Sequence, residues 1–588
     1  MRPLWSFFLL FLRHPWYLAA GLLCIPAAAW IDIQISLVVA DTLNRLGTAD
    51  AGFLDRVLVI ILVIAILRGL LRFGMRWFVV GVSRRVEKTI KQDVFDRLTR
   101  LSLRFHRGEE TGDLAARVTA DVEAVRMLLG PGLMHLMSAV TAIGLAFGVL
   151  LRLDRELTLW LVLPLFLLAL STAALMPRLH RASMAVQERI ADLYRFAQEN
   201  FGGIRVVQGY GLEDQQRALW GRTSKANHDA QLELAAARGL SNTFTHASHD
   251  LCNLPILLVG GTLVMSGSFG LGDLFLFIDL VIKVFWPVLA LGWILGMLPR
   301  AVASAQRIDA ILSDDRVTPE DDEPLDASAI RGHFVLRGVG HRYPGEERPS
   351  LADVTLDLPA GGTLGVVGPT GSGKTTLLHL FERLYEPELA PGGELTLDGR
   401  PLDRYDLASL RRAVGHVPQD GFLFGMGYRE NLELGADEPL DDARIWELLE
   451  VASIAPEIRQ LGEHSGEGLD TLLGERGVNL SGGQRQRTAI ARALAGDPRV
   501  LILDDALSAV DTATERKLLD HLGEAAADRT VILAAHRLSV VAGADRILVL
   551  EEGRPTGLGT HDELLASHPW YRDAWRRQQA SDELEALP

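Results

Sequence analysis

Cysteine is nearly absent from this chain, whose 588 residues include only Cys24 and Cys252, both within apolar stretches. So few cysteines argue against a disulfide framework and against a cysteine-based metal cluster. The chain also lacks an excess of basic residues, because its formal net charge at pH 7 is −15. Nucleic-acid-binding proteins carry a basic surface, so the composition argues against that class of function.

Charge and hydropathy are distributed unevenly along the chain. Residues 314–588 contain 28 basic and 49 acidic side chains, whereas the residues before them contain 31 and 25. The mean hydropathy is nevertheless positive, at +0.17. A chain of this length exceeds one domain. These features predict a membrane-embedded first part followed by an acidic soluble part.

Six apolar stretches in the first part are each long enough to cross a bilayer as a helix of about 20 residues. They are residues 15–40, 57–80, 127–151, 157–177, 251–267 and 271–298. Basic residues follow the second and fourth stretches, so the positive-inside rule places those loops in the cytosol. The apolar segment 4–12 is interrupted by Arg13, His14 and Pro15, which favours an interfacial helix over a cleaved signal peptide.

Polar residues within the spans are candidates for substrate contacts, because they are costly in lipid. We select Asp32, Asp250, Asp279, Lys283 and Trp286. Asp279 and Lys283 are four residues apart and can pair on one helix face. Both an internal ion pair and a cavity lining remain open for these positions. Because the carboxylates, with Asp41 added, outnumber the single cation of this set, we expect a preference for neutral or cationic amphiphiles.

A glycine-rich loop between a short apolar strand, residues 363–367, and a helical run matches the pattern G-x-x-x-x-G-K-[ST]. Its residues are Gly368, Pro369, Thr370, Gly371, Ser372, Gly373, Lys374, Thr375 and Thr376. The glycines let backbone amides wrap phosphates, Lys374 reaches the outer phosphates, and the Thr375 hydroxyl ligates Mg²⁺. The sequence therefore predicts a site for a nucleoside triphosphate.

A second phosphate-binding element precedes a buried strand further along the chain. It consists of Leu480, Ser481, Gly482, Gly483 and Gln484. Serine is a favoured N-cap, and the glycines leave amides uncovered at the positive end of the following helix. The strand 500–504 delivers Asp504 and Asp505 at its carboxyl end, where one acid can hold Mg²⁺ and the other can position a water.

These elements together resemble the ATP-binding-cassette (ABC) ATPases. Segments 105–122 and 203–213 resemble the intracellular loops of type IV ABC exporters. In that family each loop carries a coupling helix, which would lie near 108–114 and 209–215 here. The resemblance implies that Tyr343 stacks on adenine, that Gln419 contacts Mg²⁺, and that His536 senses the γ-phosphate. It implies a dimer in which the signature, residues 480–484, acts on ATP at the partner's phosphate loop. The loop that crosses the dimer interface would be Ser508, Ala509, Val510 and Asp511.

The predicted fold is therefore an all-α six-helix transmembrane domain followed by an α/β P-loop ATPase domain. We expect the transmembrane domain at 1–313, an acidic linker at 314–330, the ATPase domain at 331–577 and a loose tail at 578–588. The implied function is ATP-driven export of amphiphilic small molecules, lipids or peptides across the inner membrane. The ATPase domain would lie in the cytosol.

One residue departs from the family pattern, because Asp505 stands where strongly hydrolysing members carry Glu. Aspartate loses about 1.5 Å of reach, and a misplacement of about 1 Å can cost about a hundredfold in rate. This departure resembles the degenerate-site subunit of heterodimeric bacterial multidrug exporters, whose partner carries the competent Glu. A slow homodimeric exporter or lipid flippase is the alternative, and a gated channel or regulator is a remote one.

Overall fold

A computed structural model of the chain describes residues 2–46, 52–321, 323–465, 468–474, 477–525 and 528–585. The chain divides into two compact units, of which the first comprises residues 1–99 and 110–314. The second comprises residues 100–109 and 315–588. The first unit is built of helices joined by short turns, and the named β-strands all lie in the second unit.

The helices up to residue 312 are, in chain order, α1 (Arg2–Phe11), α2 (Pro15–Arg45), α3 (Phe53–Arg100), α4 (Leu103–His106), α5 (Thr111–Ala116), α6 (Val122–Met127), α7 (Leu133–Leu153), α8 (Arg155–Gly202), α9 (Ile204–Gly209), α10 (Glu213–Pro255), α11 (Gly261–Met265) and α12 (Leu271–Leu312). Short π-helical turns join some of them without a break, at Arg117–Asp121, Leu128–Gly132 and Ile256–Gly260. The last of these turns follows Pro255, a residue type that removes a helical hydrogen bond.

In the described part of the chain, five helical stretches are long and apolar enough to cross a membrane: Pro15–Arg45, Phe53–Arg100, Thr111–Leu153, Glu213–Met265 and Leu271–Leu312. Helix α8 contains the remaining predicted stretch, 157–177, in which Leu157, Leu161 and Leu168 are buried. Helices α3 and α8 have 48 residues each. At about 1.5 Å per residue, they extend well past a hydrocarbon core of about 30 Å.

Short helices occur in both predicted intracellular loops. In the first loop they are α4 and α5, of which α5 overlaps the predicted segment 108–114, and in the second loop α9 ends at Gly209, where the predicted segment 209–215 begins. Which of them acts as a coupling helix stays a prediction. At the second of these loops the chain turns at Tyr210–Leu212, where Gly211 adopts a φ of +62°. Only glycine adopts this left-handed conformation without steric cost, so the turn falls inside the predicted helix.

The strands of the second unit are β1 (Phe334–His341), β2 (Leu351–Leu358), β3 (Thr363–Val367), β4 (Glu388–Leu397), β5 (Arg400–Pro401), β6 (Val414–Val417), β7 (Val500–Asp504), β8 (Thr530–Ala534), β9 (Arg546–Glu551) and β10 (Arg554–Gly559). Its further helices are α13 (Lys374–Phe381), α14 (Leu407–Ala413), α15 (Tyr428–Glu433), α16 (Asp442–Val451), α17 (Ala455–Ser465), α18 (Gly482–Ala495), α19 (Thr512–Ala525), α20 (Leu538–Val541), α21 (His561–Ser567) and α22 (Pro569–Glu585).

Six of these strands form a sheet in the order β10-β9-β3-β8-β7-β6, in which only β10 pairs antiparallel. The other four form an antiparallel sheet in the order β2-β1-β4-β5. Carboxyl ends of neighbouring parallel strands meet at one edge of a sheet, where ligands bind in α/β proteins. The phosphate loop, Gln419, Asp505 and His536 each follow one of these strands, and Asp504 is the last residue of β7.

Strand β7 shows why the parallel sheet is stable. Its five residues are all buried, with Leu501 and Leu503 in one hydrophobic cluster and Val500 and Ile502 in the other. Successive side chains of a strand point to opposite faces, so both faces of the sheet are covered by apolar residues. The predicted fold class, a helical membrane domain followed by an α/β domain, is confirmed.

Two segments expected to be irregular are more ordered than the sequence suggested. In the acidic linker, Leu325 forms a bridge with Tyr405, and Ala327 is fully buried. At the other end of the chain, α22 is helical to Glu585, through most of the tail predicted to be loose. Gln578 explains part of this order, because it accepts from the Leu538 amide at 2.8 Å and donates to the Ser539 hydroxyl at 2.8 Å. Residues 586–588 lie outside the described residues.

Candidate nucleotide-binding site

The phosphate loop requires glycine at both of its ends. Gly368 follows β3 with a φ of +154°, and Gly373 precedes α13 with a φ of +98°. A Cβ atom on Gly368 would lie 2.0 Å from the Leu550 carbonyl oxygen, and one on Gly373 would lie 2.5 Å from that of Ser350. The close approach of the backbone brings the first amides of α13 to the loop, as a phosphate site needs.

Lys374 is buried within this loop. Its Nζ donates to the carbonyl oxygens of Gly368 at 2.9 Å and of Pro369 at 3.1 Å. Burial lowers the pKa of Lys374, and the nearby carboxylates of Asp505 and Asp504 oppose that shift. Ser372 adds a buried hydroxyl without a hydrogen-bond partner among the described residues. A cation and an unsatisfied donor in one glycine cradle fit the binding of a phosphate chain.

Thr375 and Asp504 form a second pair beside the loop. Burial raises the pKa of Asp504, and a hydrogen bond from Thr375 opposes this shift. Hydroxyl and carboxylate oxygens are ligands that Mg²⁺ accepts, usually together with substrate phosphates. In the described ranges, no group of three His, Cys, Asp or Glu side chains is placed to hold a metal ion. The pair therefore fits a Mg²⁺ that also binds a nucleotide.

Asp505 begins the turn after β7 in an uncommon backbone conformation, with a φ of +48°. Its amide donates to the Ala534 carbonyl at 2.8 Å, and its Oδ1 accepts from the His536 amide at 3.4 Å. Together with Ser508 and His536 it lines a cavity of about 140 Å³. Asp505 and His536, predicted from separate motifs, thus lie side by side.

The signature element folds as predicted, except that α18 begins at Gly482 rather than near residue 486. The Ser481 hydroxyl accepts from the Gln484 amide at 3.2 Å, and the Gln484 Oε1 accepts from the Ser481 amide at 2.9 Å. This reciprocal cap fixes the start of the helix. A Cβ on Gly483 would lie 2.7 Å from the Ala509 carbonyl oxygen, so the signature and the loop 508–511 are in contact.

The two phosphate-binding elements line separate depressions on the second unit. One, of about 450 Å³, is lined by Ser481, Gly482 and Gly483 together with residues 509–511. The other, of about 650 Å³, is lined by Gly368, Pro369 and Thr370 together with His536 and residues of α22. Neither depression contains residues of both elements.

Gln486 is a site residue that the sequence analysis missed. Its buried side chain donates through Nε2 to the Gln419 carbonyl at 3.1 Å and accepts through Oε1 from the Ala509 amide at 3.2 Å. It therefore ties the loop after β6 to the loop after β7. The signal for it was a polar residue on the buried face of an amphipathic helix.

The predicted adenine-stacking residue, Tyr343, is held from two sides. Its hydroxyl lies 2.9 Å from the Thr376 Oγ1, and its ring packs edge-on against Tyr385 with 5.2 Å between centroids. The guanidinium of Arg107 lies over the ring, 3.8 Å from its centroid. Arg107 was also missed, and nothing in its local sequence points to Tyr343.

In the first unit, the structure confirms the predicted pair of Asp279 and Lys283, 3.0 Å apart. The expected excess of carboxylates is wrong, because Asp32 forms ion pairs with Arg68 and Arg72, each at 2.6 Å. These arginines belong to the second span and were left out of the count. The two remaining candidates are both exposed: Asp250 in α10 and Trp286 in α12.

Comparisons with known proteins agree with this architecture. A family model described as "ABC transporter transmembrane region" matches residues 18–288, and one described as "ABC transporter" matches residues 351–508. The chain is 34% identical over 527 residues to the "Multidrug resistance-like ATP-binding protein MdlA" of Escherichia coli (strain K12), covering 89% of this chain and 88% of that one. It is 29% identical over 532 residues to the "ATP-dependent lipid A-core flippase" of Aliivibrio fischeri (strain ATCC 700601 / ES114), covering 90% of each.

A solved structure is similar over nearly the whole length. It is described as "Structure of a bacterial Atm1-family ABC exporter with ATP bound", and it matches with a TM-score of 0.76 at 25% identity. The match covers 96% of this chain and 98% of that one, so it includes both the helical and the α/β unit.

Proposed function

Because this chain belongs to the ABC transporter family and joins the family's membrane region to its ATPase domain, we propose that it is one half of a heterodimeric exporter. Its function is ATP-driven export, and it is a multi-pass protein of the inner membrane with a cytosolic ATPase domain. The proposed cargo is an amphiphilic small molecule, lipid or peptide. The proposed partner is a second half-transporter that carries a catalytic Glu.

ATP binds at the carboxyl edge of the parallel sheet in this proposal. Tyr343 stacks on the adenine, the amides of residues 368–376 wrap the phosphates, and Lys374 neutralises their charge. Thr375, Asp504 and Gln419 would hold Mg²⁺, which would neutralise charge that develops on the phosphates. His536, beside Asp505 at the same edge, contacts the γ-phosphate.

The separate depressions of the phosphate loop and the signature support a composite site. Ser481, Gly482 and Gly483 line a depression that contains no residue of their own chain's phosphate loop. They reach an ATP only if a second ATPase domain presents its phosphate loop to them. Two domains arranged head to tail meet this condition twice, and residues 508–511 lie next to each signature at the interface.

The observation that carries the heterodimer is the state of Asp505. Asp505 is shorter than a Glu by one methylene, and its Oδ1 already accepts from the His536 backbone amide at 3.4 Å. A base acting on water must reach hydrogen-bond distance of it. Because Asp505 is shorter than Glu, we expect slow hydrolysis of the ATP on this chain's own phosphate loop. The ATP on the partner's phosphate loop, where the partner carries Glu, is expected to be hydrolysed fast.

Binding of ATP then closes the two ATPase domains, and hydrolysis at the competent site reopens them. Each closure is proposed to switch the membrane cavity from inward-facing to outward-facing. Because one site retains ATP longer, the dimer would reset through the other site alone. This asymmetric cycle would still couple each round of hydrolysis to export.

Co-purification of the tagged chain from its native host tests the proposal. We expect one different half-transporter in equal amount, and ATP-dependent uptake of an amphiphilic dye by inside-out vesicles of the pair. Vanadate trapping of labelled nucleotide should mark the partner's phosphate loop far more than this chain's. A chain that purifies alone as an active dimer contradicts the heterodimer, and ATP hydrolysis without any uptake contradicts export.

A further inference from the structure

Three arginines occur at four-residue intervals in the apolar part of α3: Arg68, Arg72 and Arg76. This spacing places them along one side of the helix. The other side carries large apolar side chains that are exposed on the isolated unit, namely Ile66, Leu70, Phe73 and Trp77. The second span is therefore amphipathic, although its overall composition is strongly apolar.

An arginine side chain facing the acyl chains is costly, so charged residues in spans face a cavity or other helices. The apolar side of α3 suits lipid, which leaves the arginine side for the interior of the transporter. That side is accessible, because the side chain of Arg72 is 51% exposed and that of Arg68 is 35% exposed.

Contacts with the first span fix two of these arginines. The Nε of Arg68 lies 2.6 Å from Asp32 Oδ1, and the NH2 of Arg72 donates to Asp32 Oδ2 at 2.6 Å. Each carboxylate oxygen of Asp32 is thus already paired with one guanidinium group. A guanidinium offers several N–H donors, and Arg72 uses only one of them on an acceptor in the described part of the chain.

The sixth span adds Lys283 to the same place. Its Nζ donates to the Asp32 carbonyl at 2.8 Å and to the Ser36 hydroxyl, and it lies 3.0 Å from the Asp279 carboxylate. Helices α2, α3 and α12 therefore meet at one group of charged side chains. We call Arg68, Arg72, Arg76 and Lys283 the basic cluster.

The charges in this group do not balance. Three of its four cations, Arg68, Arg72 and Lys283, pair with only two carboxylates, Asp32 and Asp279. Among the described residues, Arg76 is exposed and makes no ion pair with a carboxylate. Charges within a membrane protein are normally paired, because unpaired ones are strongly destabilising. Among the described residues, the cluster therefore carries two more positive charges than carboxylates, and anionic oxygens of a bound molecule would balance this excess.

We propose that the basic cluster binds the anionic headgroup of the exported amphiphile, with a phosphomonoester as the best-matched group. This inference rests on the proposed export function and names the class of its cargo. A doubly charged phosphomonoester balances the excess, and guanidinium groups match phosphate oxygens in geometry. The preference is the reverse of the cationic one expected from the sequence.

Lipid binding to the purified dimer in phosphatidylcholine nanodiscs tests the inference. The probes are phosphatidic acid, diacylglycerol with the same tails, and inorganic phosphate. We expect phosphatidic acid to bind and to stimulate ATP hydrolysis, with diacylglycerol at least about tenfold weaker, because it lacks the charge-assisted hydrogen bonds. Inorganic phosphate that binds as tightly as phosphatidic acid, or diacylglycerol that binds equally well, overturns the proposal.

Two variants change the charge in opposite directions. Arg72→Gln should weaken phosphatidic acid binding about tenfold, while Asp32→Asn should strengthen it because it releases two guanidinium groups. Arg45→Gln, at the outer end of α2 and paired with Asp41, is the matched control and should have no effect. If Arg72→Gln fails to fold, Asp32→Asn decides alone, and unchanged or weaker binding in it overturns the proposal.

The outcomes separate this inference from the export function. ATP-dependent uptake confined to neutral or cationic dyes, unchanged in Arg72→Gln, leaves the exporter intact and removes the anionic site. A second outcome combines two results: Arg72→Gln fails to assemble the dimer, and the wild type shows no selectivity for phosphatidic acid. This outcome shows that the partner's carboxylates pair with the basic cluster, and it also overturns the inference. Absence of ATP-dependent uptake for every dye contradicts the export function itself.

Discussion

The guanidinium of Arg107 lies over the ring of Tyr343, with its central carbon 3.8 Å from the ring centroid. Tyr343 has two further contacts, because its hydroxyl is 2.9 Å from Thr376 and its ring packs against Tyr385. Arg107 follows the second-span helix by only a few residues. The contact therefore covers a face of the proposed adenine platform with a residue from the segment that continues the span.

Replacing Arg107 by Ala should tighten ATP binding, because the guanidinium and the adenine compete for the ring. Cation–π contacts contribute about 0.5–1 kcal/mol at exposed sites, which corresponds to about two- to fivefold in the dissociation constant. Titration with a fluorescent ATP analogue measures this change in the dissociation constant. Arg104→Ala, an exposed arginine of the same segment, is the control. Weaker ATP binding in Arg107→Ala would show that the arginine supports the platform instead.

The parts predictable from the sequence were those encoded locally. Strands β3 and β7 have the bounds predicted from the sequence, and the glycine positions of the phosphate loop follow from a fixed spacing. Ser481 likewise indicated the helix cap, because a capping serine bonds to an amide only three residues further along the chain. Each of these features depends on neighbours within a few residues.

The parts that the sequence did not reveal are pairings between distant segments. Arg107 is far from Tyr343 in sequence, and Arg72 is 40 residues from Asp32. Gln486 contacts Gln419 and Ala509, which lie in two different loops. Such contacts depend on how helices and strands are arranged in space, and no periodicity of one segment specifies them.

Ser481→Arg should reduce ATP hydrolysis by the assembled dimer to near background, whereas Asp505→Ala should leave much of it. The arginine would fill the depression that the signature presents to the partner's ATP, and Asp505 serves only the slow site in the proposed cycle. Steady-state phosphate release measures both variants, with ATP binding to each checked separately. Equal loss in the two variants would make Asp505 a working base and would favour the homodimer.

Asp504→Asn should stabilise the nucleotide-free protein at neutral pH while weakening Mg²⁺-dependent ATP binding by at least about tenfold. Burial raises the pKa of Asp504, so the native state holds its proton more tightly than the unfolded chain. The protonated form therefore stabilises the fold at low pH, and this contribution is lost as pH rises through the raised pKa. Thermal unfolding across pH, with and without MgATP, tests both effects. Unchanged Mg²⁺ dependence in the variant would remove Asp504 from the metal site.

Tyr428→Phe should lower the free energy of unfolding by about 0.5–1.5 kcal/mol, the usual net value of one hydrogen bond. Tyr428 is fully buried, and its hydroxyl lies 2.9 Å from that of Thr488, which also bonds to the Gln484 carbonyl at 2.8 Å. Burial raises the pKa of Tyr428, so the wild type should lose stability above about pH 10, where the unfolded tyrosine ionises. The variant should lose less there. Denaturant unfolding of both proteins measures the difference, and identical alkaline profiles would contradict it.

Gln486→Leu should slow hydrolysis at the partner's site by about ten- to a hundredfold while leaving ATP affinity nearly unchanged. The substitution leaves the Gln419 carbonyl and the Ala509 amide without their partner, at a cost of about 1–3 kcal/mol for each group that stays buried. Both loops would then lose their fixed positions, although Lys374 and Tyr343 keep theirs. Gln486→Glu separates the two contacts, because it keeps the acceptor for Ala509 and loses the donor to Gln419. Single-turnover hydrolysis with ATP binding measured in parallel distinguishes the steps. If Gln486→Glu is as slow as Gln486→Leu, the bond to the Gln419 carbonyl is the contact that hydrolysis requires. Wild-type rates in both variants would show that Gln486 is only a packing residue.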